Sequence, residues 1–348
     1  MLPSSAAPSL SSVSQEEVLA PIVTSPLLAL PSMDADRELI EAAMREAVVT
    51  SDSYLNEIAS HLIVAGGKRL RPVLAVAGAQ IFGETAAHDV VRGGVACELV
   101  HLGSLYHDDV MDEADMRRGV ETVNAKWGNL QAILAGDFLL ARASEIAASL
   151  GTEVAGLLAR TIGWLCEGQI EELRHTYDMG RTEESYLASI HGKTASLYGT
   201  ACRIGGIVAG HDRPVIDALT AYGNAYGTVF QIVDDILDIT ATEEQLGKPA
   251  GHDIVEGVYT LPVLRTLELG NSASEELRDL LGTPLDPVAQ DKALAIVRSN
   301  EGVESAIATA RQYVADAEEC CDDFPDSAAT SALRAAPRAL LTSASVQP

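Results

Sequence analysis

The 348-residue sequence predicts an all-α fold, a single domain of ten or more helices. Three observations carry that prediction. From about Ala35 onward, apolar residues recur at three- and four-residue spacing, the period of helices with one buried face. The chain is 47% hydrophobic but only 4% aromatic, so Ala, Leu, Val and Ile must build the core through close helix contacts. No stretch sustains strand-type alternation, and no strand–glycine loop–helix unit occurs.

Taken in order, residues 1–34 read as a disordered tail. Up to about Ser32 the chain is rich in Ser, Ala and Pro and holds no Lys or Arg, so it lacks the basic start of a signal peptide and the arginines of a transit peptide. Pro21, Pro26 and Pro31 cut its apolar patches well short of the ~20 residues of a membrane span. Residues 35–340 form the helical domain, with helix breaks expected at Gly66-Gly67, Gly83, Gly119, Gly151, 178–181, 211–214 and 247–251. The run 282–287 sets off a more charged, peripheral C-terminal portion, and 341–348 reads as a flexible tail.

The formal net charge is −26, which argues against nucleic acid as a partner, since its binders carry a basic footprint. Five cysteines, odd in number and without CxxC spacing, argue against a disulfide framework or a zinc site and for a reducing, cytoplasmic compartment.

Two near-copies of one acidic cluster stand far apart in this apolar chain: DDVMD at 108–112 and DDILD at 234–238. Each follows an aliphatic stretch of helical character. On a helix, residues i and i+4 lie about 5–6 Å apart on one face, so each cluster should aim two carboxylates the same way, where like charges repel. Such a pattern fits a bound cation. Hard oxygen ligands with room for water and phosphate suit Mg²⁺, giving Asp108, Asp109, Asp112, Asp234, Asp235 and Asp238 as candidate metal residues. Structural Ca²⁺ is a weaker reading, because no glycine-bearing ligand loop of EF-hand type is present.

Upstream lies GGKRLRP at 66–72, three cations within four residues after a glycine pair. Lys and Arg are the usual diphosphate ligands, Arg through its bidentate fork. Arg117 and Arg118 follow the first acidic cluster and either neutralise neighbouring acids or take phosphate charge; local sequence leaves both open. His101 lies two helical turns before Asp108, as a core histidine or a ligand. Lys193-Thr194, Gln231 (three residues before Asp234) and Lys248, in a loop after the second cluster, complete the candidates.

Together GGKRLRP, HDDVMDEADMRRG at 107–119, GDFLLARA at 136–143, Lys193-Thr194, FQIVDDILDIT at 230–240 and GKPAGHDIVEG at 247–257 resemble the trans-polyprenyl diphosphate synthases. The resemblance spans about residues 35–340 and is strongest to bacterial medium- and long-chain synthases that make quinone side chains. It implies an all-helical bundle around a central cavity, a homodimer, and no transmembrane segment. It also implies a cytoplasmic location, with loose membrane association on product release.

The implied reaction joins an allylic diphosphate to isopentenyl diphosphate and releases pyrophosphate. By the resemblance, Asp108 and Asp112 ligate Mg²⁺ from one side and Asp234 from the other, while Asp109, Asp235 and Asp238 bind more loosely or support the shell through water. Arg117, Lys193, Thr194, Gln231 and Lys248 would meet the allylic diphosphate. Lys68, Arg71, His101 and Arg118 would meet isopentenyl diphosphate. One departure is Val258, where many relatives carry Lys after the Glu256-Gly257 pair.

Helix geometry adds an expectation about product length. Ser104, Val100 and Cys97 share the face of Asp108, and Gly103 lies beside them; with no bulky aromatic there, the tunnel should stay open to long products, each free turn adding ~5.4 Å. A terpene cyclase of similar build and an inert subunit of a heteromeric prenyl synthase are the alternatives. Both are disfavoured by the intact second cluster beside GGKRLRP.

Overall fold

The computed structural model describes residues 25–83, 86–242 and 250–345. Among them lie well over ten α-helices, as the periodicity predicts. The first are α1 (Met33–Ala47), α2 (Ser53–Val64), α3 (Leu70–Ala79) and α4 (His88–Met111). Asp52 starts α2 by accepting hydrogen bonds from the backbone N–H groups of Tyr54 and Leu55. α4 carries buried residues on every side and runs through the bundle, touching α1, α3, α6 (Asn129–Ser149) and α9 (Ser196–Val208).

Between α4 and α6 lie strands β1 (Met116–Arg117) and β2 (Val120–Glu121) and the short helix α5 (Val123–Trp127). No strand was expected. This ribbon is too short to show alternation, and it exists because Arg118 and Gly119 both hold positive φ, 53° and 77°, in a two-residue hairpin loop. α7 (Thr152–Arg174), α8 (Glu183–Ile190) and a π-helical segment (His191–Ala195) lead into α9, and α10 (Arg213–Thr240) follows.

Two apolar clusters divide α10 between them. Its first half packs with α3, α4 and α9 through Leu219, Tyr222 and Tyr226; its second half packs through Val229, Ile232 and Ile236 against the helices between 252 and 319. The C-terminal portion is therefore not peripheral: the helix Gly302–Glu319 lies along α10, its charges outward and Ala306, Ala310 and Val314 inward.

The tails also differ from expectation where they are described. Pro26–Ala29 forms a 3₁₀ turn, with Leu27 and Met33 fully buried and the turn packed on α1, α3 and the last helix, Ala328–Ser345. Its leucines supply a core contact that the Ser/Pro-rich composition hides. That last helix continues past residue 341, with Leu341 buried.

Candidate active site

α4 ends at the first acidic cluster, and its three aspartates face different surroundings. Asp109 is fully buried and takes a 2.5 Å hydrogen bond from Arg117 Nε. Asp108 is half-buried and Asp112, the helix C-cap, is exposed. Burial raises the Asp108 carboxyl against the pull of Lys193 and Arg117. Although Asp112 is exposed as a residue, partial desolvation of its carboxyl by the surrounding protein, with Glu256 and Asp108 nearby, pushes it up to about 6. Asp108 is thus one of the negative neighbours that raise Asp112, four residues on.

The β1–β2 ribbon sends the two arginines apart. Neighbouring residues at its tip go to different places: Arg117 reaches back to Asp109, and Arg118 Nη1 donates to the Gly66 carbonyl beside the glycine pair.

In the second cluster, Asp234 is exposed while Asp235 and Asp238 are buried. Asp235 accepts from Tyr186 Oη at 2.5 Å and from Gln231 Nε2 at 2.8 Å. Burial carries its carboxyl up to about 7 even though both hydrogen bonds favour the ionised form. Asp238 accepts backbone N–H groups of His252 and Asp253 at 3.3 and 3.2 Å, starting the short helix His252–Val255. The i+4 residue here therefore also holds the backbone at 252–253.

Lys193 and Thr194 sit in the π-helical segment, a geometry often found at functional sites. It presses against α7 backbone to backbone: a Cβ on Gly168 would lie 2.4 Å from Lys193 N, and one on Gly192 would lie 2.7 Å from the Trp164 carbonyl. Lys193 Nζ pairs with Glu172 Oε1 at 2.6 Å. Burial opposes its charge, but Glu172, Asp108 and Asp112 raise its pKa overall. Thr194 Oγ1 donates to Gln231 Oε1 at 2.8 Å, so Thr194, Gln231, Asp235 and Tyr186 form one chain. Glu172 lies within electrostatic reach of one aspartate of each cluster, Asp108 and Asp235.

A separate cavity of about 410 Å³ gathers Lys68, Arg69, Arg71, His101 and Arg118, with Glu98, Tyr198 and Phe230. Arg71 lies over the Tyr198 ring, 4.5 Å from its centre. His101 is held neutral, its pKa far below the usual value because of burial and the surrounding arginines. All four residues expected at the second diphosphate are thus together.

Among the described residues no three carboxylate, imidazole or thiolate ligands converge on one metal position. The donor set is open, as Mg²⁺ sites completed by water and phosphate are. Lys248 lies outside the described residues.

The chain-length residues need one correction. Gly103 is buried against α6, where a Cβ would lie 3.0 Å from the Gly136 carbonyl and 3.3 Å from Leu140; its smallness serves helix packing. Val100 and Cys97 are fully buried, and half-buried Ser104 donates to the His101 carbonyl.

Sequence reasoning missed Glu172, Tyr186, Glu98 and Arg181. Arg181 is buried over the Tyr186 ring with Nε and Nη2 lacking hydrogen-bond partners. Only Glu98 carried a signal, as a carboxylate one turn before His101 within the apolar stretch between Gly93 and Leu105.

The chain matches the Polyprenyl synthetase family over residues 52–297. It is 42% identical over 300 residues to a nonaprenyl diphosphate synthase of Mycobacterium tuberculosis, covering 86% of this chain and 88% of that one. It is 38% identical over 300 residues to heptaprenyl diphosphate synthase component 2 of Geobacillus stearothermophilus, covering 86% and 93%. The crystal structure of a Caulobacter crescentus polyprenyl synthase complexed with calcium and isoprenyl diphosphate superposes with a TM-score of 0.85 at 31% identity, covering 91% and 97%.

Proposed function

The chain belongs to the polyprenyl synthetase family and is a prenyltransferase, and from that premise we propose that it condenses an allylic diphosphate with isopentenyl diphosphate. The product is an all-trans polyprenyl diphosphate longer than the fifteen-carbon one, and pyrophosphate leaves. The observation that carries this reading is the arginine pair at the ribbon tip. Arg117 serves the acidic cluster and Arg118 the basic cavity, so two anion-handling sites flank one short hairpin.

Asp108, Asp112 and Asp234 fit Mg²⁺: they are the less buried carboxylates of the two clusters, and Asp112 has Asp108 and Glu256 as acidic neighbours. When bound, the metal supplies fixed positive charge to the departing diphosphate. Asp109, Asp235 and Asp238 hold Arg117, Gln231 and the 252–253 backbone in place.

Lys193 and Arg117 meet the allylic diphosphate, with Lys248 as a further contact. Thr194 fixes the Gln231 amide through its oxygen. Lys68, Arg71 and Arg118 bind the second diphosphate, and neutral His101 offers it an N–H without competing for protons. Tyr198 and Phe230 give the cavity an apolar wall. The proton lost after condensation goes to the departing pyrophosphate.

A homodimer is supported by apolar side chains left outside: Leu130 (75% exposed) and Leu134 (66%) on α6, with Trp164 and Ile170 on the adjoining α7. Among the described residues no helix is long and apolar enough to cross a membrane.

The test is incubation of the purified chain with Mg²⁺, radiolabelled isopentenyl diphosphate and allylic starters, followed by product sizing. Long polyprenyl diphosphates are expected. Cyclic hydrocarbon from the allylic substrate alone would point to a cyclase. Turnover only on adding a second protein would point to a heteromeric subunit.

A further inference from the structure

Arg69 sits at the centre of the basic motif and borders the cavity, yet its guanidinium is held by the helices behind it. It is 2% exposed and holds φ +50°, a left-handed conformation that a non-glycine residue keeps only where its surroundings over-determine it. Two guanidinium nitrogens are hydrogen-bonded to the protein, and the third has an ionic contact without a hydrogen bond among the described residues. Nε donates to Glu41 Oε1 of α1 at 2.7 Å, Nη2 donates to the Ile63 carbonyl of α2 at 2.7 Å, and Nη1 lies 3.5 Å from Glu98 Oε1 of α4.

One side chain thus ties three helices to the loop that carries Lys68 and leads into Arg71. The contact is close, since a Cβ on Gly67 would lie 3.3 Å from Arg69 Nη1 and 2.9 Å from Arg118 Nη1. Buried Glu98 beneath this group offsets the mutual repulsion of the cations lining the cavity.

We propose that Arg69 is a positioning residue whose fork, anchored on Glu41, sets the geometry of Lys68 and Arg71, so that affinity for the second diphosphate depends on the N-terminal helix. This rests on the reading of the cavity as the isopentenyl diphosphate site. An ammonium could keep the charge but not the three-way geometry, because only the planar guanidinium presents rigidly forked donors.

The test uses the full chain with Glu41→Gln, Arg69→Lys and, as a reference for the cavity itself, Lys68→Ala. Steady-state kinetics are measured for each substrate and folding is checked by circular dichroism. Glu41→Gln alters a partly exposed, isosteric side chain and is expected to keep the wild-type melt. It should raise KM for isopentenyl diphosphate roughly 3–10-fold, with kcat and the allylic KM within about twofold. Arg69→Lys should raise that KM at least as much. An unchanged KM in folded Glu41→Gln, or a wild-type KM in Arg69→Lys, would overturn the proposal. If Lys68→Ala also left KM unchanged, the cavity's assignment would fall and the proposal with it. A raised KM in Lys68→Ala alone would remove only the role of Arg69.

Discussion

Lys193 Nζ and Glu172 Oε1 stand 2.6 Å apart, where α7 meets the π-helical segment, and Glu172 acts on both acidic clusters. Asp108 and Asp112 also attract this ammonium, which here is paired with Glu172. Removing the Glu172 charge should let Lys193 compete with the metal. In Glu172→Gln the apparent Mg²⁺ requirement should rise about tenfold without loss of fold, whereas Lys193→Ala should lower kcat/KM for the allylic substrate by about 10²-fold. A Mg²⁺ titration of activity separates the two, and an unshifted titration in Glu172→Gln would show that the pair has no such restraining role.

The aspartates divide into outward and inward sets, and the division predicts opposite phenotypes. Asp108→Asn should cost about 10²-fold or more in kcat while leaving the melting temperature unchanged or higher, because a desolvated charge is removed. Asp238→Ala should lower stability by about 1–3 kcal/mol, since two backbone N–H groups lose their acceptor. Denaturant melts alongside kinetics would expose any mixing of these classes.

Acidity should act on metal binding through Asp112, pushed up to about 6 by partial desolvation and by Glu256 and Asp108. The folded chain then binds more protons than the unfolded one between about pH 4 and 6, so this group favours the fold as pH falls through that window and disfavours it above. A bound cation demands the ionised form. The rise in melting temperature on adding Mg²⁺ with pyrophosphate should therefore be largest above pH 7 and shrink below about 6. Asp112→Asn should flatten that component, and a pH-independent increment in the native chain would contradict it.

How much of this was legible in the sequence differs by scale. Helical periodicity gave the helices and glycine gave the breaks, because both are local. The two acidic clusters, the basic run and Lys193-Thr194 stood out as charge in an apolar chain. What stayed hidden depends on contacts distant in sequence. Nothing in DDILD says that Asp238 will meet the 252–253 backbone, and nothing in GGKRLRP says that the Arg69 guanidinium will reach Glu41. Gly103 misled for the same reason, since smallness reads alike in an open tunnel and a tight helix crossing.

Association can be tested on α6. Leu130 and Leu134, one turn apart and largely exposed, form an apolar face beside α7. Leu134→Glu should halve the mass found by light scattering while keeping helical content. A dimer unaffected by charges at both positions would place the contact elsewhere.

Product length separates Ser104 from Gly103, although the two are adjacent. Ser104 is half-buried and, among the described residues, its hydroxyl bonds to its own helix at the His101 carbonyl, so an aromatic ring there can project one turn below Asp108. Ser104→Phe should shorten the product in chromatography, with turnover of short allylic starters retained. Gly103 faces the Gly136 carbonyl at a distance that leaves little room for a methyl group. Gly103→Ala should therefore destabilise by about 1–3 kcal/mol through overpacking, with product length nearly unchanged. The reverse pattern, a shorter product from Gly103→Ala and none from Ser104→Phe, would mean that the growing chain runs along α6 and not beneath Asp108.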